Sequence, residues 1–356
     1  MHVPDGFINA PVSAVTGVVA AGAIAVSLRG ARRELDERTA PLAGLVAAFI
    51  FAVQMLNFPV AAGTSGHLLG GALAAILVGP YTGVLCVSVV LLMQGILFAD
   101  GGLTALGVNI TDMAIVTTVV SYALFRGLVK VLPRTRRSIT GAAFVAALLS
   151  VPAAAVAFTL IYAVGGTTDI AITKVATAMI GVHVLIGIGE AVITALTVGA
   201  VVAVRPDLVY GARGLQQRLK LRVNGELVDT PASPAGTPEP VPVAARSSHR
   251  RVWITGLVTS LVLAGFVSFY ASASPDGLEK VAKDKGIDAR TEKHATEDSS
   301  PLAGYGVKDV SDARVSGGLA GVIGVGVTVV AGTGVFWLIR RRRTTDSSPT
   351  SVPEGV

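Results

Sequence analysis

An all-α polytopic membrane protein of about nine transmembrane helices, a seven-helix core followed by a two-helix C-terminal hairpin, is what this sequence predicts. Three observations carry the prediction. The 356 residues are 52% hydrophobic and only 15% charged, where a soluble domain carries about 25% charge. The mean hydropathy of +0.67 is concentrated in nine separate apolar stretches rather than spread along the chain. Most of the basic residues fall between alternate stretches, the pattern that orients membrane helices.

The stretches follow in order. The first, 8–28, comes after a tip reading MHVPDGF, in which Pro4-Asp5-Gly6 is turn chemistry. The second, 40–58, ends at Asn57-Phe58-Pro59. The third, 64–80, is short and glycine-rich and starts at or just before His67. The fourth, 82–98, carries the only cysteine, Cys86, which excludes a disulfide framework and a thiolate zinc site. The fifth and sixth are 111–129 and 139–164. The seventh, 171–204, is long enough to tilt or to extend beyond the bilayer. The last two are 252–272 and 316–339. Abundant glycine (41 residues) and 5% aromatics suit closely packed helices.

Placing the N-terminus outside puts 21 of the 29 lysines and arginines in inner loops and the tail Arg340–Arg343. Nine spans then leave the C-terminus in the cytoplasm, so parity and charge agree. The net charge of +6 belongs to this bias and does not imply a nucleic-acid partner. The tip lacks a basic region and a small-residue cleavage site, so no cleaved signal peptide is expected. Composition sets the domains: a core over 1–215, a Pro/Ala/Thr-rich disordered cytoplasmic linker over 216–250, a two-helix unit over 251–345 with a polar outer loop 273–315, and a disordered tail 346–356.

There is no GxxxxGK[ST], HExxH, GxSxG or CxxC. The chain therefore reads as a transporter subunit without its own ATPase site, not as an enzyme. A membrane metalloenzyme would need a base beside an open metal position, and none is evident. His249 and His294 read as solvated surface histidines.

His2 and His67 differ, because the topology puts both on the outer side. The α-amine of Met1, the amide nitrogen of His2 and the His2 imidazole can close fused chelate rings, held nearly coplanar by the peptide unit. His67 would complete a square of nitrogens, a geometry that selects Ni(II) or Cu(II) over Zn, Mg or Ca. The competing reading of the tip is a frayed start with an accidental histidine. In QMLNFPVAAGTSGHLLGG (54–71), Asn57 and Ser65 flank His67, and the loop reads either as a protein-covered re-entrant segment or as an ordinary outer loop. In MQGILFADGGLTALGVNITDM (93–113), Gln94, Asp100, Asn109 and Asp112 serve either to orient imidazoles or as helix caps, Asp112 in particular. His183 and Glu190 lie seven residues apart on one face of the seventh helix near mid-membrane, where ionisable groups face the bundle interior.

Taken together, MHVPDGF, FAVQMLNFPVAAGTSGHLLGG, FADGGLTALGVN and GVHVLIGIGEA resemble the CbiM/NikM proteins, the substrate-binding membrane components of energy-coupling-factor transporters for cobalt and nickel. The resemblance covers about residues 1–210. SPDGLEKVAKDKGID, with Pro275, Asp276, Gly277, Leu278 and Glu279, resembles the small NikN-type PDGLE subunit, here fused to the core. The resemblance implies uptake of Ni²⁺ or Co²⁺ as substrate, no organic cofactor, and a square plane from the Met1 amine, the His2 amide, the His2 imidazole and His67. It implies as partners a transmembrane coupling subunit and ABC-type ATPases in the plasma membrane, and a small subunit that is needed for uptake. The rival from another class is a self-sufficient ion-coupled carrier using His183, Glu190 and Asp112 as an intramembrane path.

Overall fold

The computed structural model describes residues 1–35, 39–61, 63–133, 135–215, 220–223, 226–229 and 249–345. Its long helices are α1 (Ala10–Glu34), α4 (Pro80–Leu97), α5 (Leu106–Val131), α6 (Arg136–Gly165), α7 (Ile172–Val204), α8 (His249–Gly265) and α10 (Ala313–Thr345). Seven helical stretches among the described residues are long and apolar enough to cross a membrane. Two shorter helices, α2 (Thr39–Gln54) and α3 (Gly71–Val78), complete the core, and a short polar helix α9 (Gly277–Lys285) lies between α8 and α10. The chain is thus a mainly helical, multi-pass membrane protein.

The third apolar stretch is the main departure from expectation. In place of one helix over 64–80, β1 (Phe58–Ala61) pairs antiparallel with β2 (Thr64–Gly66), residues 67–70 run without regular structure, and α3 follows. Glycine is the cause: Gly63 and Gly70 sit at φ of +73° and +89°, values that end regular helix or strand. Eight residues rise only about 12 Å, short of the about 30 Å hydrocarbon layer. All of α3 is buried, so irregular backbone at this depth is covered by protein, which makes the loop tolerable. The path still crosses the bundle. It begins at His67, beside Met1, and ends at Pro80, where the carboxylate of Glu34 accepts the N–H groups of Tyr81 and Thr82. Glu34 is the last residue of α1, at the end of the bundle opposite Met1.

Close packing explains where the C-terminal unit sits. It lies against α2 of the core: a Cβ on Gly44 would come within 2.4 Å of the Thr333 hydroxyl, and one on Gly256 within 2.7 Å of Leu45. Small residues at both crossings let the backbones approach. Pro152 inside α6 cannot bond the Leu148 carbonyl one turn back. Gly187 of α7 packs onto that freed carbonyl, with no room for a Cβ.

The expected linker lies mostly outside the described residues, and the tail 346–356 entirely so. Within the linker, β3 (Lys220–Val223) and β4 (Glu226–Asp229) pair as an antiparallel hairpin, where the composition led us to expect no structure. The sequence between them, Asn224-Gly225, is a strong hairpin-turn pair that a reading by composition overlooks.

Candidate metal centre

The chain terminus is built into the protein rather than frayed. Met1 is 2% exposed. Asn109 clamps the third residue from both sides: its Oδ1 accepts the Val3 N–H at 2.7 Å and its Nδ2 donates to the Val3 carbonyl at 3.1 Å. The N–H of Gly102 donates to the same carbonyl. The Pro-Asp-Gly turn then reverses the chain, with Gly6 at φ +86°. Asp5 Oδ1 accepts both the backbone N–H and the hydroxyl of Thr104. A Cβ on Gly102 would fall 2.3 Å from the Asp5 nitrogen, so the fit of tip to loop requires glycine there. Replacing Asn109 by Leu leaves the Val3 amide and carbonyl short of buried partners. A loss of about 1–3 kcal/mol in stability and a 10–100-fold loss of metal affinity are expected, read by thermal unfolding and by nickel titration.

His67 reaches the same point from the hairpin loop. Its Nδ1 lies 3.0 Å from the Leu68 carbonyl, which only an Nδ1–H can satisfy. The neutral ring therefore presents the Nε2 lone pair. Glu190 fixes the loop from below, its two carboxylate oxygens accepting the N–H groups of Leu69 (2.5 Å) and Gly70 (3.0 Å).

The Met1 amine stands 2.7 Å from His67 Nε2. Two nitrogens held about 2.0–2.1 Å from one ion and at right angles stand about 2.8–3.0 Å apart. In the structure a proton holds the pair together; the spacing also suits a shared cation. The His2 ring stacks on the His67 ring, with centroids 5.0 Å apart and planes 10° from parallel. His2 Nδ1 faces Asp100 Oδ1 at 3.1 Å, while its buried Nε2 has no hydrogen-bond partner. Asp100 in turn accepts the Tyr305 hydroxyl at 2.6 Å.

The C-terminal unit closes the site. Asp276 Oδ2 accepts from the Met1 amine at 2.8 Å and lies 3.5 Å from His67 Nε2. Ligand atoms of His2, His67 and Asp276 all lie within 4.8 Å of one another. These groups border a cavity of about 830 Å³ between the core and the C-terminal unit. Electrostatics follow from the contacts. Burial, with the neighbouring ammonium, lowers the pKa of His67 and keeps its ring neutral. Burial opposes ionisation of Asp276, but the Met1 ammonium, helped by the Glu279 N–H, outweighs it and holds the carboxyl well below its usual range. For Asp100, too, burial opposes ionisation; attraction to His2 and bonds from His2 and Tyr305 bring it down to about 2.

The structure therefore brings together Met1, His2, His67, Asp100 and Asn109. The other residues singled out by sequence do different work. Asn57 accepts the Ser272 N–H through its carbonyl. Ser65 does not orient an imidazole: its hydroxyl donates to the Ser274 carbonyl at 2.7 Å, pinning the C-terminal unit to the hairpin. Gln94 is buried, and its carbonyl accepts the N–H groups of Phe98 and Asp100. Asp112 is not a cap. The helix begins at Leu106, so Asp112 falls inside a π-helical turn, buried, with both carboxylate oxygens lacking hydrogen bonds. His183 donates from Nδ1 to the Met179 carbonyl and does not hydrogen-bond Glu190, whose oxygens serve the His67 loop. His294 is not a solvated surface group: its Nε2 lies 3.2 Å from the Gly101 carbonyl, against the loop that holds His2. Asp276 and Tyr305 were not anticipated as site residues. Asp276 did stand in the quoted SPDGLE, but an Asp-Gly pair at a helix start reads as a cap, which it also is.

Two family models match successive parts of the chain. Residues 2–208 match the family model described as the cobalt uptake substrate-specific transmembrane region, CbiM. The chain belongs to the CbiM family. Residues 250–341 match the PDGLE domain model, so this member carries a CbiM core fused to a PDGLE unit. A fused nickel transport protein NikMN of Rhodobacter capsulatus is 42% identical over 125 residues, 35% of this chain and 36% of the relative. The cobalt transport protein CbiM of Sorangium cellulosum is 33% identical over 216 residues, 59% of this chain and 94% of the relative. A crystal structure titled as a truncated transition metal transporter superposes with a TM-score of 0.50 at 27% identity, covering 57% of this chain and 99% of its own. Membership in a family of metal transport proteins accounts for the multi-pass helices.

Proposed function

We propose that this protein is the substrate-specific component of an energy-coupling-factor transporter that captures Ni²⁺ or Co²⁺ on the outer face of the plasma membrane. The observation that carries the reading is the buried Met1 amine 2.7 Å from His67 Nε2. A terminal ammonium is strongly hydrated, and burying it costs free energy that its partners must offset; here those partners are a carboxylate and an imidazole, both metal-binding groups. The ion takes the place of the shared proton. The His2 amide supplies a third donor, and His2 Nδ1 exchanges its Asp100 hydrogen bond for the metal as a fourth. The chain supplies no phosphate-binding loop, so a transmembrane coupling subunit and ATPase subunits drive release inward. Charge supports the orientation: the loops around His67 and over 99–110 carry no lysine or arginine, and α1 ends at the opposite face with Arg32 and Arg33. An all-nitrogen square plane favours nickel, with cobalt close behind.

The purified full chain should bind Ni²⁺ and Co²⁺ well ahead of Zn²⁺ and Mg²⁺, with the absorption of square-planar nickel. Binding should weaken as pH falls, because amine and amide lose protons to bind the ion. Nickel bound with an octahedral spectrum, or binding unchanged by His2→Ala, would overturn the site. Nickel uptake into liposomes by this chain alone, without an ATPase, would favour the ion-coupled carrier.

A further inference from the structure

We infer that Asp276, supplied by the C-terminal unit, is itself a metal ligand: the donor that first takes the incoming ion and passes it to the nitrogen plane. The inference rests on the metal-capture reading above and adds a residue from outside the core to it.

Geometry selects Asp276. Among the described residues, its Oδ2 is the one carboxylate oxygen within 4 Å of both the Met1 amine and His67 Nε2, at 2.8 and 3.5 Å. An ion held by those two nitrogens would therefore lie within reach of this oxygen. Opposite ligands of one ion stand about 4 Å apart, so the atoms of His2, His67 and Asp276, all within 4.8 Å of one another, need only a small closure to share one. Asp100 is less suited, because its two oxygens face His2 and the Tyr305 hydroxyl rather than the Met1 amine and His67. In Asp276 the two oxygens divide the work. Oδ1 caps α9 by accepting the Glu279 N–H at 2.8 Å, which fixes the side chain and aims Oδ2 at the site.

The path of approach gives the order of contact. The cavity wall includes Glu279, Asp276, His67 and His2 but not Met1. Side-chain exposure falls from 52% at Glu279 and 27% at Asp100, on the other side of the cavity against His2, to 17% at Asp276, 5% at His67 and 1% at the amine. A cation coming through the cavity meets carboxylate oxygens before it meets the amine, and reaches the amine past Asp276. Fusion then has a physical sense. Ser65 bonds the carbonyls of Ser274 and Pro275, so the PDGLE segment holds its carboxylate over the His67 loop.

The experiment uses the full chain in detergent, loaded with Ni²⁺ in a stopped-flow instrument and followed by nickel absorbance. Asp276→Asn keeps a good cap while removing the anionic ligand. Loading is expected to slow about tenfold or more, while the final spectrum matches that of the unaltered protein. Asp298→Asn, an exposed acid away from the cavity, should load at the unaltered rate. Should Asp276→Asn fail to fold, Asp276→Ser retains a capping oxygen and carries the same expectation. Loading within about twofold of the unaltered rate in a folded Asp276 variant overturns the inference. If the unaltered chain shows no amine-dependent nickel site at all, it is the functional reading that has failed, and the two failures are told apart.

Discussion

One glycine added ahead of Met1 is expected to reduce nickel affinity by at least about a hundredfold. The reason lies in where the amine is. Met1 is 2% exposed, and its nitrogen contacts His67 and Asp276 together. An extra residue converts the amine to an amide, which binds a metal only by losing a far less acidic proton. The same change removes the ammonium that Asp276 faces. Breaking a buried ion pair from one side costs about 3–5 kcal/mol, because the other charge is left without a partner. The extended chain should therefore be less thermally stable without metal, and nickel should no longer rescue it. Titration calorimetry and melting curves with and without Ni²⁺ read both effects. Full retention of affinity in the extended chain would mean that the terminus is not a ligand. A corollary is practical: an amino-terminal tag alters the site itself, and purification handles belong at the C-terminus.

Much of this candidate site lies in short sequence motifs, which is why its residues could be singled out before the fold was known. The tip MHVPDGF offers an amine, an amide and an imidazole in a row, and the turn that folds them back is written in Pro4-Asp5-Gly6. The loop histidine announced itself by its glycine neighbours. Local chemistry of this kind needs no knowledge of the fold. What stayed hidden depends on tertiary placement. Asp276 is 275 positions from the amine that it touches, and no local pattern distinguishes a cap from a cap that is also a ligand. The helix expected over 64–80 failed for a related reason: apolarity sets burial, but the glycine angles set the path, and hydropathy does not see them. The cap reading of Asp112, one of two left open, fails because its helix begins at Leu106, five residues before 111. His183 and Glu190 were legible as interior residues by their depth, but their partners are backbone groups, which leave no mark on a sequence.

Those backbone partners give Glu190 its expected effect. Its two oxygens accept the N–H groups of Leu69 and Gly70, immediately after His67, where the chain leaves β2 for α3. No strand or helix bond serves these two amides, since residues 67–70 lie outside regular structure. In the interior of a membrane bundle water cannot easily replace the carboxylate. Glu190→Ala leaves two buried donors unmet, at about 1–3 kcal/mol each, so a loss of roughly 2–6 kcal/mol is expected. The loop would then relax, and His67 would lose the position that sets Nε2 2.7 Å from the amine. Metal affinity should fall by about 10–100-fold. Glu190→Gln separates this role from a proton path. A glutamine oxygen still accepts one of the two bonds, so about half the stability loss and a smaller loss of affinity are expected. In a proton relay glutamine would be as damaging as alanine for transport, whatever it did for binding. Melting curves, nickel titration and uptake in vesicles containing the complete transporter, applied to both variants, decide the matter. If glutamine abolishes transport while leaving affinity and stability near normal, Glu190 carries protons; if binding, stability and transport decline together, it holds the histidine loop.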